Sequence, residues 1–538
     1  MIRVSQIKMP IAHDEKMLLH KAAGLLHIKT EQILSFRIVK KSIDARKKPD
    51  VTFVYVLDLE LMQEDKALAR IHDNRVRKAA DVPYQFTVSG DMPLTRRPVV
   101  IGSGPAGLFC AYQLAMHGYR PVVLERGRDV LSRKADVEAF WKTGALLPDS
   151  NVQFGEGGAG TFSDGKLNTL VKDKFGRSKE VLRILAMAGA PEKILYEAKP
   201  HIGTDILIKV VKRIREKILQ FGGDVFFESQ VTDLMIERDQ IQGVIVNGEQ
   251  TILTDIVILA VGHSARDTFH MLYERNVPLV PKAFAVGLRV EHPRQYINLV
   301  QYGIEENDAL NTADYKVTAH SSEGRGVYSF CMCPGGYVVN ASSEKEALAV
   351  NGMSYSNRHG ANSNSAVIVT VTPKDYPDAH PLSGVAFQRE LEKRAYLIGN
   401  GSVPVETYGE FKEAVTGQKS GLSQLKEKYP DFTPAIKGAY RTSPVHEIMP
   451  DSLNRAFVEG MEQFGSYLPG FNDSGVYVSG IESRTSSPVR IERDESGQSV
   501  IRGLYPCGEG AGYAGGITSA AMDGMLVAEK IAEKYKPF

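Results

Sequence analysis

Gly102, Gly104 and Gly107 are the residues whose type and spacing most directly imply chemistry. They form a G-x-G-x-x-G signature in which each glycine has its own physical task. Gly102 permits a tight turn, Gly104 lets backbone approach a pyrophosphate, and Gly107 lets a helix pack close to a strand. Pro105 and Ala106 open that helix, whose first amides and partial positive charge face the phosphates. Glu125 follows Gly107 by 18 residues. That is near the spacing at which an acid accepts hydrogen bonds from both ribose hydroxyls. A carboxylate there repels a 2′-phosphate, so the expected ligand is a dinucleotide other than NADP. Arg126, the next residue, is a further candidate contact.

Other reactive residue types are sparser. The four cysteines are Cys110, Cys331, Cys333 and Cys507. Cys331-Met332-Cys333 reads either as a redox-active dithiol or as buried or substrate-lining thiols. Alternate strand positions point the same way but make a strained disulfide. No paired CxxC and no histidine cluster exists, so no metal is expected. His263 and Arg266 follow a glycine turn, Arg358 and His359 share a polar loop, His201 lies in another, and Arg484 sits in ESRTSSPVR. Arginine suits the binding of an anionic substrate, with a histidine as proton donor or acceptor. For each histidine alone, a structural role is the competing reading.

These residues need elements to position them. RRPVVIGSGPAGLFCAYQLAMHGYRPVVLERG reads as a strand to Ile101, a helix over 105–117 stopped at Gly118, and a second strand from Pro121 to Leu124. A βαβ-like region spans about 205–262. Near the C-terminus a strand runs into Gly508-Glu509-Gly510, and Gly515-Gly516-Ile517 opens a helix to Lys534. Residues 1–95 read as strand, helix, strand, strand, a small α+β domain with an antiparallel sheet. Lys40, Lys41, Arg46, Lys47 and Lys48 lie between its last two strands. They read first as a solvated hairpin tip and second as a nucleic-acid or acidic-partner contact, since Asp44 and Asp50 dilute them. The expected division is 1–95, a nucleotide-binding domain from 96–275 and 476–538, and an inserted substrate or cap domain over 276–475.

Bulk properties agree with two or three globular domains. The chain has 538 residues, 43% of them apolar and 24% charged, with a formal net charge of +1. That charge excludes a whole-molecule electrostatic partnership with nucleic acid or membrane. MIRVSQIKMP has no apolar signal core, no stretch approaches 18 apolar residues, and cysteine is scarce. A cytoplasmic protein is therefore expected.

The C-terminal glycines resemble the last motif of glutathione-reductase-like flavoproteins. That likeness implies FAD, with Glu509 on the ribityl chain and the Ile517 helix directed at the flavin. ILAVGHS (258–264), with Ala260 and Gly262, resembles the middle strand-turn motif of that fold. FGEGGAGTFSDGKL is similar in position to the flavin-wrapping loop of fumarate-reductase-like enzymes. The likeness implies contacts from Gly157, Gly158, Gly160, Thr161, Ser163 and Lys166. Val231 matches the position that holds adenine through backbone atoms.

More widely, NVQFGEGGAGTFSDGKLNT (151–169), HIGTD (201–205), GHSARDTF (262–269), FCMCPGGYVVN (330–340), NGMSYSNRHGANSNSA (351–366), ESRTSSPVR (482–490) and GLYPCGEGAGYAGGI (503–517) resemble a bacterial family of uncharacterised FAD-dependent dehydrogenases over nearly the whole chain. The resemblance implies an α/β fold: a glutathione-reductase-type, FAD-binding Rossmann domain with an inserted α+β substrate domain and a small N-terminal α+β domain. It implies no substrate. No second complete G-x-G-x-x-G follows a strand, so no stable NAD(P)H domain is expected. The expected activity is hydride transfer between flavin N5 and a small organic molecule, an anion where Arg266, Arg358 or Arg484 orients it. The alternatives are a flavoprotein acting on RNA or another macromolecule through residues 1–95, and a non-catalytic flavin-binding redox sensor.

Overall fold

A computed structural model describes all 538 residues. At its centre lies a five-stranded parallel sheet, ordered Leu504–Pro506, Val257–Leu259, Val99–Ile101, Val122–Leu124 and Asp224–Phe226. These strands are short apolar runs because both faces are covered. Val100, Val123, Ile258 and Tyr505 point into one core with the helices Pro105–Met116, Arg177–Met187, Thr204–Gln220 and Ile517–Lys534. Val99, Ile101, Val122, Leu124, Val257 and Leu259 point the other way. They meet an antiparallel sheet of Val231–Glu237, Gln240–Val246 and Gln250–Leu253. Helices Pro105–Met116 and Ile517–Lys534 pack together so closely that a Cβ on Gly524 would come 2.1 Å from the Ala106 carbonyl oxygen. The two ends of the chain's nucleotide motif are thereby locked side by side.

A second, seven-stranded sheet is ordered Thr318–His320, Gly326–Cys333, Asn362–Val371, Phe284–Pro293, Tyr477–Glu482, Val403–Thr407 and Tyr440–Thr442. All its neighbours are antiparallel except the last pair. One face packs on Asp451–Tyr467 through Val286, Leu288, Val290, Val367 and Val369. The other carries Ala285, Ala366 and Ile368, with Tyr328 and Phe330 against them, and the buried Arg289 and Glu291. Tyr477–Glu482 lies near the middle of this sheet, between Phe284–Pro293 and Val403–Thr407. The division expected at 475/476 is therefore corrected. A strand cannot leave the middle of a ladder without orphaning backbone groups on both sides, so the chain returns to the nucleotide domain after Glu482.

Residues 1–78 form a four-stranded antiparallel sheet ordered Ile33–Asp44, Thr52–Leu61, Ile2–Pro10 and Val76–Lys78, covered by the helix Glu15–Leu25. Its basic tip is dispersed rather than displayed. Lys41 Nζ sits 4.1 Å over the Phe53 ring, Arg46 pairs with Asp44 at 2.7 Å, and Lys48 donates to the Val300 carbonyl of the seven-stranded domain. No helix is long and apolar enough to cross a membrane.

Candidate active site

The glycine signature folds as its residue types dictate. Gly102 ends its strand at φ +96°, and a Cβ there would come 2.5 Å from the Ala260 carbonyl oxygen. A Cβ on Gly107 would come 1.9 Å from the Gly102 oxygen. These two glycines seat strand, turn and helix against one another. Gly104 differs: its Cβ would meet only Gly158, at 3.9 Å, and one on Gly515 would meet nothing within 4 Å. Those two positions face a cavity of about 690 Å³, within the size range of a small-molecule or cofactor site.

Most of the residues singled out by sequence line that cavity. Gly102, Gly104, Pro105, Ala106, Glu125, Arg126, Gly158, Gly160, Ser163, Lys166, Val231, Ala260, Gly262, His263, Arg484, Glu509, Gly515, Gly516 and Ile517 are all on its wall. The unpaired first-turn amides of the Pro105 and Ile517 helices border it. This open glycine cradle between two helix N-termini fits a dinucleotide with a pyrophosphate and a second ring system.

Gly107, Gly157, Thr161 and Gly508 are off the wall. Gly157 and Gly508 are tight contacts: their Cβ atoms would come 2.1 Å from Thr161 Oγ1 and 2.6 Å from Ala106 Cβ. Thr161 is buried beneath the loop. Glu125 needs a finer correction. Its Oε2 accepts from Ser103 N at 2.8 Å and Ser103 Oγ at 2.7 Å; its Oε1 accepts from Gly127 N at 3.0 Å and Gly155 N at 3.1 Å. All four acceptor positions are taken, so Glu125 ties two loops together and shares those positions with any ribose hydroxyl.

The arginines expected to hold substrate are engaged elsewhere. Arg266, 1% exposed, donates to Glu392 at 2.7 and 2.9 Å and to Glu344 at 2.9 Å. Arg484 reaches the same Glu392 at 2.8 and 2.9 Å. Glu392, fully buried, sits between two guanidiniums that hold its carboxyl far below the ordinary range against the cost of burial. Arg358 pairs with Asp164 and is off the cavity wall. A charge neutralised in this way is not available to a substrate. His201 is buried, with its pKa lowered to about 3 by desolvation, and His359 is exposed in its loop. His263 remains on the wall, with Nδ1 3.3 Å from Glu509 Oε1 and a buried Nε2 that has no protein partner.

Three sets of residues, Cys331 apart, were not found by motif reading. Arg133, fully buried, donates to five carbonyls: Asn151 and Val152 at 2.8 and 2.9 Å, and Glu156, Gly158 and Gly155 at 2.7, 3.0 and 3.2 Å. It holds the 151–158 loop against the cavity, and no local pattern marks it. Asp164 lines the cavity and gathers Lys166 at 3.0 Å together with Arg358 and Ser354. Farther along the wall lie Phe330, Cys331, Asn351 and Glu482. Behind them, fully buried Arg289 pairs with Glu482 and donates to the Cys331 carbonyl and Asn351 Oδ1, both at 2.8 Å, and to Asn364 Oδ1 at 3.1 Å. Burial holds the Glu482 carboxyl above the usual carboxylate range although Arg289 pulls it the other way.

Comparison with known proteins agrees with the cradle. Residues 283–485 match the model of the FAD-dependent protein C-terminal domain-like family, 100–139 a NAD(P)-binding Rossmann-like domain, and 1–60 a domain of unknown function. An uncharacterized protein of Clostridium beijerinckii is 45% identical over 99% of both chains. Similar solved structures include a geranylgeranyl bacteriochlorophyll reductase-like protein from Thermoplasma acidophilum. It is 12% identical, with 82% of this chain and 78% of that one covered, at TM-score 0.36. E. coli quinol fumarate reductase is 13% identical, covering 82% and 71%, at TM-score 0.35. A flavin-dependent brominase is 13% identical, covering 81% and 78%, also at 0.35. The chain belongs to this family of FAD-dependent proteins, and its cofactor is FAD.

Proposed function

We propose that this FAD-dependent protein is an oxidoreductase of glutathione-reductase-type arrangement, whose small organic substrate lies at the end of the cavity walled by Phe330, Cys331, Asn351 and Glu482. Bound FAD supplies a ring that accepts or returns a hydride. The carrying observation is the continuity of the wall: one cavity touches both the glycine cradle and these four side chains. The glycines give backbone donors to the cofactor. Arg133 fixes the loop that covers it, and Asp164 fixes Lys166 at the wall. His263 Nε2, buried without a protein partner, is the group placed to hold or release a proton, with Glu509 orienting Nδ1. No arginine clamp selects the substrate, because Glu392, Glu344 and Asp164 engage all three candidates. An anionic substrate would have to rely on Lys166. Electrons come from the substrate itself or from a reductant that docks transiently, and no dedicated NAD(P)H domain is required.

The test is an anaerobic screen of small metabolites for bleaching of the flavin absorbance. One chemical class should bleach the wild type, and Asn351→Ala or Lys166→Met should slow that bleaching about tenfold or more while FAD stays bound. Bleaching at the wild-type rate in both variants would remove this part of the cavity from the reaction.

A further inference from the structure

Four cysteines occur, and only one reaches the cavity. Cys110 and Cys507 are fully buried in the nucleotide-domain core. Cys331 lines the cavity and is half-buried, while Cys333 lies fully buried behind it.

Their strand does not run regularly between them. Phe330 pairs with Ala366 and Cys333 with Asn364, so Cys331 and Met332 stand opposite Ser365 alone in a bulge. Cys331 adopts φ +42°, a left-handed conformation that non-glycine residues reach at a cost and that clusters at functional sites. In a regular strand, residues i and i+2 stand roughly 6.6 Å apart, at the upper limit for a disulfide. The bulge curls this segment so that Cys333 Sγ donates to the carbonyl of Cys331 itself at 3.2 Å.

The surroundings make the two sulphurs unequal. The neighbouring Cys333 holds the Cys331 thiol below its ordinary value, with Arg289 and Lys166 acting in the same sense and burial and Asp164 opposing. Burial pushes Cys333 well up. Arg289 Nη1 lies 3.9 Å from Cys333 Sγ, and Glu482 is the remaining charged group facing the pair. An accessible, more acidic thiol backed by a buried, less acidic one is the asymmetry of an attacking and a resolving cysteine.

We propose that Cys331 and Cys333 are a redox-active pair that exchanges electrons with FAD, Cys331 being the sulphur that meets thiol or disulfide substrates in the cavity. This rests on reading the cavity as the shared FAD and substrate site. In the oxidising direction the Cys331 thiolate and the Cys333 thiol form an S–S bond. The Cys333 S–H bond breaks, and its proton and the electron pair pass to FAD. The reverse restores thiolate and thiol. A substrate disulfide is then opened by Cys331, one half leaving as a thiolate. Cys333 attacks the mixed disulfide at Cys331, its proton going to the second leaving thiol.

FAD-loaded protein, first oxidised with excess oxidised dithiothreitol, is titrated anaerobically with dithionite. Parallel samples are trapped with maleimide and weighed by mass spectrometry. The wild type should take up about four reducing equivalents per flavin, and Cys333→Ser and Cys331→Ala about two. The oxidised wild-type peptide carrying both residues should be unlabelled and lighter by two hydrogens. If both thiols are labelled after oxidation, or the wild type takes two equivalents, the proposal is overturned. The two variants check each other, should one fail to fold. A protein that cannot hold FAD would overturn the reading of the cavity, whereas the mass measurement still reads the pair, so the two failures are distinguishable.

Discussion

The two ends of the cavity are built from different material. The cofactor end is backbone: glycines, helix N-termini, and a loop threaded round Arg133 through five carbonyls. The far end is side chains: Arg289, Glu482, Asn351, Cys331 and, beside them, the Arg266–Glu392–Arg484 knot. A backbone cradle fails through a single added carbon. A buried charge network fails through a single removed charge.

The largest expected effect is at the far end. Glu392→Ala leaves Arg266 and Arg484 buried with Glu344 as the one remaining carboxylate near them, at 2.9 and 3.9 Å. Loss of one partner from such a cluster costs about 3–5 kcal/mol, so urea midpoints should fall steeply. If Glu392→Ala melts like the wild type, the knot is not holding the cap to the nucleotide domain. At the cofactor end, Gly107→Ala forces a carbon to 1.9 Å from the Gly102 carbonyl oxygen. A loss of about 3 kcal/mol and of bound flavin is expected. Gly515→Ala has open space around its added carbon. It should melt like the wild type and bind FAD about tenfold more weakly, about 1.4 kcal/mol. Equal stability losses in the two glycine variants would erase the distinction between packing and cradle glycines.

The same contrast explains what was legible in the sequence. Gly102 to Glu125 is a local pattern, and a strand–turn–helix–strand folds on itself within about 25 residues. The cradle was therefore readable, as were the final helix and its glycines. The packing roles of Gly157 and Gly508 depend on Thr161 and Ala106, which only the folded chain brings near. Arg266, Arg358 and Arg484 carry the right chemistry for an anion, but Glu392 and Asp164, distant in sequence, claim them first. Arg289 and Glu482 are 193 residues apart and meet only because Tyr477–Glu482 inserts beside Phe284–Pro293. No spacing rule reports a cross-strand neighbour of that kind. The boundary at 475 failed for the same reason.

The strand Phe284–Pro293, which carries Arg289, should also titrate, in two opposed directions. His292, fully buried with its pKa lowered to about 4 by desolvation, donates to or accepts from nothing charged and contacts the Phe471 carbonyl at 2.8 Å. The unfolded chain takes the proton first, so its contribution to stability is lost as pH falls from 6.5 towards 4, about 3 kcal/mol in all. Glu291, its neighbour, is raised to about 7 by burial, with Oε1 unpartnered. The folded carboxyl keeps its proton longer, so that contribution is present below 4.5 and is lost as pH rises through 7, again about 3 kcal/mol. Between pH 5 and 7 the two slopes offset each other. His292→Phe should leave a protein that loses stability as pH rises, and Glu291→Gln one that loses it as pH falls. Urea unfolding at pH 5, 6 and 7 reads both, and parallel lines for the three proteins would refute the pair.

The smallest expected effect tests whether the far end's charge serves reactivity as well as folding. Arg289→Lys keeps a positive charge but cannot reproduce the guanidinium fork that reaches Glu482, Asn351 and the Cys331 carbonyl together. Its single ammonium can satisfy Glu482 or stay near the sulphurs, but not both. The Cys331 thiol should rise by about one pKa unit, a tenfold fall in thiolate below that value. Alkylation by iodoacetamide at pH 7 then slows by less than that, since the protonated fraction changes little while thiolate still predominates. FAD content should stay constant, because Arg289 does not border the glycine cradle. A matching loss of flavin would mean the two ends are mechanically coupled. An unchanged alkylation rate across pH 5 to 8 would mean that Arg289 supports the sheet alone.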